Sequence, residues 1–159
     1  MPENNINAYL RTKVMTAKPE QVRLMLLDGA IKFARQGRAG MAEKNYEQVY
    51  EGVSQCRDIV SELLTSIAPG TDPVLAERVR TVYGFLFREL MEVSFSRDLK
   101  AMDRVIELLE YERETWVLAI EKLAKERAEG LIEERPLRPT GTDPAPSNEG
   151  PRRSVSIEA

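Results

Sequence analysis

The sequence predicts an all-α protein: an antiparallel four-helix bundle with a flexible N-terminal arm and a disordered C-terminal tail. Two observations predict the bundle. Apolar residues recur every three or four positions through four long segments. Turn residues separate these segments by only a few positions, which favours antiparallel neighbouring helices. The predicted boundaries are 1–18 for the arm, 19–128 for the bundle and 129–159 for the tail.

The first bundle helix is predicted over residues 19–42. Pro19 suits the first turn because its missing N–H has no intrahelical partner there, and Glu20 complements the positive end of the helix dipole. Gly37 and Gly40 weaken helicity by about 1 kcal/mol each relative to alanine, so they mark either close packing or fraying. The apolar face repeats at Val22, Leu26, Gly29 and Phe33.

The arm that precedes this helix has no sustained helical period but contains several apolar side chains. They are Ile6, Tyr9, Leu10, Val14 and Met15. The residues alone leave two interpretations open. The arm is either a disordered end with incidental apolar residues, or a segment that lies in a groove and can leave it.

The second helix is predicted over residues 45–67, with Asn45 as its cap and Gln48 reaching back to it. Its seam steps by three and four through Tyr46, Val49, Val53, Cys56, Val60, Leu63 and Ile67. Three further residues flank the seam, namely Tyr50, Ile59 and Leu64. The apolar face is therefore wider than a two-helix seam requires.

The third helix is predicted over residues 73–94, with Asp72 as cap and Pro73 in the first turn. Its seam contains Leu75, Val79, Val82, Leu86, Leu90 and Val93. A second apolar stripe runs beside the seam at spacings of four, through Tyr83, Phe87 and Met91. The second and third helices together thus offer more apolar positions than a minimal bundle needs. The residues alone leave open whether these extra positions are simply well buried or line a groove for an amphipathic partner segment.

The fourth helix is predicted over residues 97–128, capped by Ser94 or Ser96 with Asp98 after it. Its seam contains Leu99, Met102, Ile106, Leu109, Arg113, Trp116, Ile120 and Leu123. Trp116 is expected in the core. The charged Arg113 must either extend its guanidinium to the surface or pair with a carboxylate, because an unpaired buried charge is very costly. Asp28 and Glu62 are the candidate partners.

Composition narrows the classes of partner and compartment. Residues 1–128 carry 19 basic and 20 acidic side chains, and this balance disfavours binding to nucleic acid or to anionic membranes. No apolar run is long enough to span a bilayer, so a soluble, cytoplasmic protein without stable membrane insertion is expected. The lone Cys56 is expected to be a small buried hydrophobe.

The chain contains no histidine, which excludes Ser-His-Asp and Cys-His catalytic sites, His-containing zinc sites and histidine phosphotransfer. No phosphate-binding glycine motif is present either. The sequence therefore predicts a protein that is not an enzyme and has no cofactor. An all-carboxylate metal site is the one catalytic alternative, and metal analysis of the purified protein tests it.

Several sparse signatures resemble those of a known family. They are Tyr9, Val14, Thr16, Ala17, Pro19, Glu20, Met25, Leu26, Asp28, Gly29, Ala30 and Ile31, followed by segments 45–64 and 82–116. In this order and at these separations they resemble the FliS family of flagellar secretion chaperones over about residues 5–125. The resemblance implies that the chain binds the C-terminal segment of flagellin, prevents premature polymerisation and delivers it to the type III export gate. It also implies a monomer or weak dimer without client.

The resemblance and the apolar surplus together predict a set of functional positions. The partner-binding candidates are Ile6, Tyr9, Val14, Tyr50, Ile59, Leu64, Tyr83, Phe87 and Met91. The structural candidates are Pro19, Gly29, Arg113 and Trp116. One departure from the family pattern is Lys18, which stands where a capping side chain is usual unless Thr16 substitutes for it. The alternative function is a self-associating structural bundle without a flagellin client.

Overall fold

The computed structural model describes residues 2–130, and the side chains of residues 8–130. In this part it contains five helices, namely α1 (Pro2–Thr16), α2 (Pro19–Glu43), α3 (Tyr46–Thr65), α4 (Pro73–Ser96) and α5 (Leu99–Ala128). The predicted tail falls outside the described residues from position 131 onward, and so does the side chain of Ile6.

Helices α2 to α5 form the bundle. Each packs against the next, and α5 closes the ring by packing on α2. The connections at Lys44–Asn45 and Arg97–Asp98 are two residues long, so the joined helices must run antiparallel. The predicted all-α bundle is confirmed, and the ends of its four helices differ from the predicted ones by at most two residues.

Two helix caps lie where the sequence predicts them. The Asn45 side chain accepts a hydrogen bond from the backbone N–H of Gln48 at 3.2 Å. The Asp72 carboxylate accepts from Val74 and Leu75 at 2.9 and 3.1 Å. Each cap supplies an acceptor to N–H groups that have no partner within the helix.

The cap of α5 differs from the prediction. Asp98 itself is the cap, and its carboxylate accepts from the backbone of Lys100 and Ala101 at 2.9 and 3.3 Å. Ser94 and Ser96 lie inside α4, which runs two residues past its predicted end. The reason is that the chain reverses within the two-residue link, where the positive φ of 52° at Arg97 leads directly into Asp98, the cap of the next helix.

Three glycines bring α2 and α3 into close contact. A Cβ atom on Gly52 would lie only 2.4 Å from the Gly37 nitrogen, and one on Gly40 would lie 2.8 Å from the Val49 nitrogen. Real Cβ atoms do not approach backbone this closely, so glycine is required for the two helices to cross here. Gly37 and Gly40 therefore mark close packing rather than fraying, and α2 continues through both.

Aliphatic side chains from all four bundle helices fill the core. The largest fully buried ones include Leu27, Leu63, Leu86, Leu90, Met102 and Leu109. Cys56 is completely buried among them, as the sequence predicts, and desolvation raises the pKa of its thiol to about 12. The thiol is therefore protonated at neutral pH and acts as an apolar core group.

The arm forms a regular helix, α1, where the sequence analysis expected no helical order. Its residues are mostly acceptable helix formers, and no glycine interrupts it. It ends before Pro19 because the residue preceding a proline is forced out of the α conformation, and Lys18 is extended at φ −64° and ψ 152°. Lys18 provides no side-chain cap to α2, and Thr16 does not substitute because its hydroxyl donates to the Thr12 carbonyl at 2.8 Å.

Candidate partner-binding surface

Two rows of side chains border the seam between α3 and α4. On α4 the row consists of Phe87, Met91 and Phe95, which are spaced four residues apart. On α3 the row consists of Tyr46, Tyr50, Arg57 and Leu64, whose spacings of four and seven place them on one face. We call the surface formed by these seven residues the α3–α4 groove.

Two contacts show that the rows face each other. The Arg57 guanidinium donates a hydrogen bond from Nη1 to the Met91 sulfur at 3.2 Å, joining the middle of α3 to α4. At one end, the guanidinium of Arg97 lies 4.0 Å from the ring centroid of Tyr46 and stacks over it. The groove therefore runs along the length of the seam.

Much of the apolar surface of the groove is exposed. Tyr50 is 74% exposed and Phe95 is 80% exposed, while Met91 lies between the two extremes at 37%. Single exposed apolar residues are common on proteins, but a contiguous row of them along one seam is typical of a binding surface. Of the predicted site residues, the groove brings together Tyr50, Leu64, Phe87 and Met91.

Tyr83 lies outside the α3–α4 groove, although the sequence analysis placed it among the partner-binding residues. It is only 2% exposed and belongs to the core, where its hydroxyl donates to the Glu112 carboxylate at 3.4 Å. Burial raises the pKa of this phenol. The reason is helix geometry: a step of four residues overshoots a full turn by about 40°, so the stripe moves steadily around α4. It is buried at Tyr83, half-buried at Phe87 and most exposed at Phe95.

Phe95 continues the same stripe by one more step of four, but the sequence analysis ended the stripe at Met91 and did not include it. The structure also places Ile59 outside the groove. A Cβ atom on Gly29 of α2 would lie 3.3 Å from the Ile59 Cδ1 atom, so Ile59 packs on the side of α3 that faces α2. Ile59 therefore does not line the α3–α4 groove, and its partner-binding role stays a prediction.

The described side chains of the arm, on α1, do not belong to the α3–α4 groove. Tyr9 is 67% exposed and Val14 is 43% exposed, and every side chain from Ala8 to Thr16 is exposed. The groove side chains Tyr50 and Phe95 are exposed as well, so α1 does not cover the groove in this structure. The arm and the groove are two separate apolar surfaces.

An aromatic and polar cluster fixes the start of α2 against α4 and α5. The Arg23 guanidinium lies 5.2 Å from the ring centroids of both Tyr83 and Trp116. The Trp116 indole N–H donates to the Glu20 carbonyl at 2.8 Å. Trp116 packs against the core as predicted. No pattern in the sequence indicates that Arg23 lies beside both rings.

The Glu20 carboxylate belongs to the same cluster. Burial acts to raise its pKa, but the hydrogen bond from Arg127 and the backbone outweigh this, and the net pKa is lowered. An ion pair to Arg127 therefore joins the first turn of α2 to the end of α5. The first turn of α2 is held in place beside the two-residue link to α1.

A second groove, of about 570 Å³, lies between α2 and α5 and has a charged lining. Arg113 pairs there with Asp28, which confirms one of the two predicted partners, and Arg35 pairs with Glu110. Its arginines thus already have carboxylate partners. This surface offers little to an apolar segment, unlike the α3–α4 groove.

The described part of the chain contains neither a candidate metal site nor a candidate membrane-spanning helix. Among residues 8–130, no group of three or more Cys, Asp and Glu side chains is arranged to hold a metal ion. Across the helices of residues 2–130, none combines the length and the apolar character that crossing a membrane requires.

Comparison with known proteins assigns the family. The model of the family described as "Flagellar protein FliS" matches residues 2–123, which is most of the chain. The chain belongs to the FliS family. Members of this family are chaperones and not enzymes, which agrees with the prediction that the chain is not an enzyme.

Individual FliS proteins are distant in sequence but match over most of their length. The flagellar secretion chaperone FliS of Bacillus subtilis (strain 168) is 25% identical over 125 residues, covering 79% of this chain and 92% of the relative. That of Vibrio cholerae serotype O1 is 24% identical over 116 residues, covering 70% and 85%. Membership of the family supports a role as a flagellar export chaperone.

A solved structure shares the FliS-like fold. It is described as a flagellar chaperone from bacteria, and it superposes with a TM-score of 0.62 at 16% sequence identity. The match covers 74% of this chain and 98% of that structure. The bundle and its helix order are therefore common to both proteins.

Proposed function

We propose that this FliS-family chain is a cytoplasmic export chaperone for flagellin. It binds the C-terminal segment of flagellin in the α3–α4 groove, prevents premature polymerisation and delivers the client to the type III export gate. The observation that supports this most strongly is the exposed apolar row of the groove, in which Tyr50 is 74% and Phe95 is 80% exposed.

Energetics set a requirement for such a client. A segment that is disordered before binding loses roughly 2–5 kcal/mol in becoming ordered. Burial of apolar surface contributes about 25 cal/mol per Å², so about 200 Å² of additional apolar contact offsets the ordering. Exposed tyrosine, methionine and phenylalanine side chains arranged along one seam supply contact area of this kind.

The arm is the proposed contact with the export gate. Ile6, Tyr9 and Val14 lie on α1, and the latter two are exposed in the absence of a client. The short link at Ala17–Lys18 separates α1 from the firmly held start of α2. Docking through α1 therefore leaves the groove available to the client.

The test is calorimetric titration of the protein with a peptide of about forty residues from the C-terminus of the same organism's flagellin. We expect saturable one-to-one binding with a gain in helicity by circular dichroism. A scrambled peptide of the same composition is the control. A folded protein that shows no binding at tens of micromolar peptide would contradict the proposal. Concentration-dependent dimerisation by light scattering would then favour the self-associating bundle.

A further inference from the structure

The two walls of the α3–α4 groove differ in charge. Consecutive residues on a helix are rotated by about 100° relative to each other. The residue that follows each groove residue on α3 therefore faces the solvent. Three exposed carboxylates follow groove residues directly: Glu47 after Tyr46, Glu51 after Tyr50 and Asp58 after Arg57. Glu62, four residues beyond Asp58, extends this row, whereas Leu64 is followed by the uncharged Thr65. All four carboxylates are exposed, and no ion pair among residues 8–130 involves them.

The wall on α4 has no such excess. The residues that follow Phe87 and Met91 are Arg88 and Glu92, which are both exposed and opposite in sign. Two cations make contacts at the seam itself, Arg57 with the Met91 sulfur and Arg97 with the Tyr46 ring. An acidic row therefore borders an apolar groove on one side only.

We propose that the α3–α4 groove selects an amphipathic helix whose apolar face is bordered by lysine or arginine on one edge. The apolar face lies on Tyr50, Met91 and Phe95, and the basic edge lies along the carboxylates of α3. This inference rests on the proposed function, whose client it describes in more detail. Charge complementarity adds specificity and faster association to apolar contact, and a helix with an acidic edge is disfavoured by repulsion.

The test uses two designed 18-residue helical peptides with the same leucine face. One carries lysines along one edge, and the other carries glutamates at the same positions. By fluorescence anisotropy in 50 mM salt, we expect the lysine peptide to bind about fivefold tighter or more, since each exposed charge pair contributes modestly. The difference should shrink at 500 mM salt because screening weakens exposed pairs.

Matched charge reversals locate the effect. Glu51→Lys combined with Asp58→Lys should abolish or reverse the preference, with circular dichroism showing an unchanged fold. Glu107→Lys combined with Glu114→Lys, on α5 at the same spacing and with the same change in net charge, should leave the preference intact. Equal binding of the two peptides, or equal effects of the two double variants, would overturn the inference.

The outcomes separate this inference from the proposed function. If the flagellin peptide binds but the designed peptides bind equally, the groove is an apolar site without charge selection. If the flagellin peptide fails to bind while the lysine peptide binds through α3, the charge selection stands and the client is a different basic-edged helix. The two proposals can thus fail independently.

Discussion

At the scale of single residues, the glycines of the α2–α3 crossing have the clearest physical role. Gly52 is surrounded by backbone, since an added Cβ would lie 2.7 Å from both the Gly37 Cα and the Phe33 carbonyl oxygen. Backbone atoms of two packed helices cannot move aside as a flexible side chain can. The crossing distance is therefore set by the absence of a side chain at this position.

We accordingly expect Gly52→Ala to lower the free energy of unfolding by about 1–3 kcal/mol, because the two helices must separate to admit the methyl group. Gly84→Ala is the matched control. It lies within α4, and its added Cβ would meet only the tip of Arg88 at 3.8 Å, so it should raise stability by about 0.5–1 kcal/mol. Urea unfolding of both variants measures the difference, and destabilisation of equal size would contradict the crossing model.

Cys56 gives a prediction about pH. Its pKa is raised from 9.0 to about 12 in the folded protein by burial, so the unfolded chain loses the thiol proton at lower pH. The stabilisation is complete below pH 9 and is lost as pH rises toward 12. Between pH 9 and 10 we expect a loss of about 1 kcal/mol in the free energy of unfolding that Cys56→Ala does not show. Parallel pH profiles of the two proteins would contradict this.

At the scale of the elements, local sequence and backbone geometry explain where most helices begin and end. Lys44 closes α2 in the left-handed conformation, with φ 56°, and its N–H donates to the Met41 carbonyl at 3.3 Å. Glycine is the usual residue where a helix ends in this conformation, because it has no Cβ atom to clash with the backbone. Lysine is tolerated here with some strain.

Lys44→Gly should therefore stabilise the protein by about 0.5–1 kcal/mol through relief of that strain. The same substitution within a helix should do the opposite, and Lys122→Gly on the exposed face of α5 is expected to destabilise by about 1 kcal/mol. Thermal unfolding followed by circular dichroism compares the two. A change of the same sign in both variants would show that backbone conformation is not the cause.

At the scale of the whole molecule, the groove exists because α3 and α4 each have a wider apolar face than the bundle can bury. Phe95 lies at the exposed end of the α4 stripe and is 80% exposed. Its removal should affect a partner and leave the bundle intact. This separates binding from stability more cleanly than substitution of the buried Tyr83.

We expect Phe95→Ser to weaken binding of the flagellin peptide by about tenfold, as for a well-packed interface aromatic, while stability changes by less than about 0.5 kcal/mol. Leu118→Ser is the control, since Leu118 is 60% exposed on α5 and lies outside the groove. Calorimetric titration measures both affinities. Equal affinities would show that the client does not use the groove.

The sequence by itself determined the four-helix bundle, the position of its helices and the caps at Asn45 and Asp72. These features depend on apolar periodicity and on hydrogen bonds between residues two or three apart, which a linear pattern records. It also named Asp28 as one of two candidate partners of Arg113, beside the alternative that the guanidinium extends to the surface. Four of the six partner-binding positions predicted on α3 and α4 line the α3–α4 groove for the same reason.

Only the tertiary structure decided how each helix is rotated and how closely it approaches its neighbours. That rotation buried Tyr83, directed Ile59 toward α2 and left Phe95 exposed, although all three lie on regular apolar stripes. The close approach gave Gly52 its role. Such outcomes depend on the packing of distant segments against one another, and no local period of the sequence contains that information.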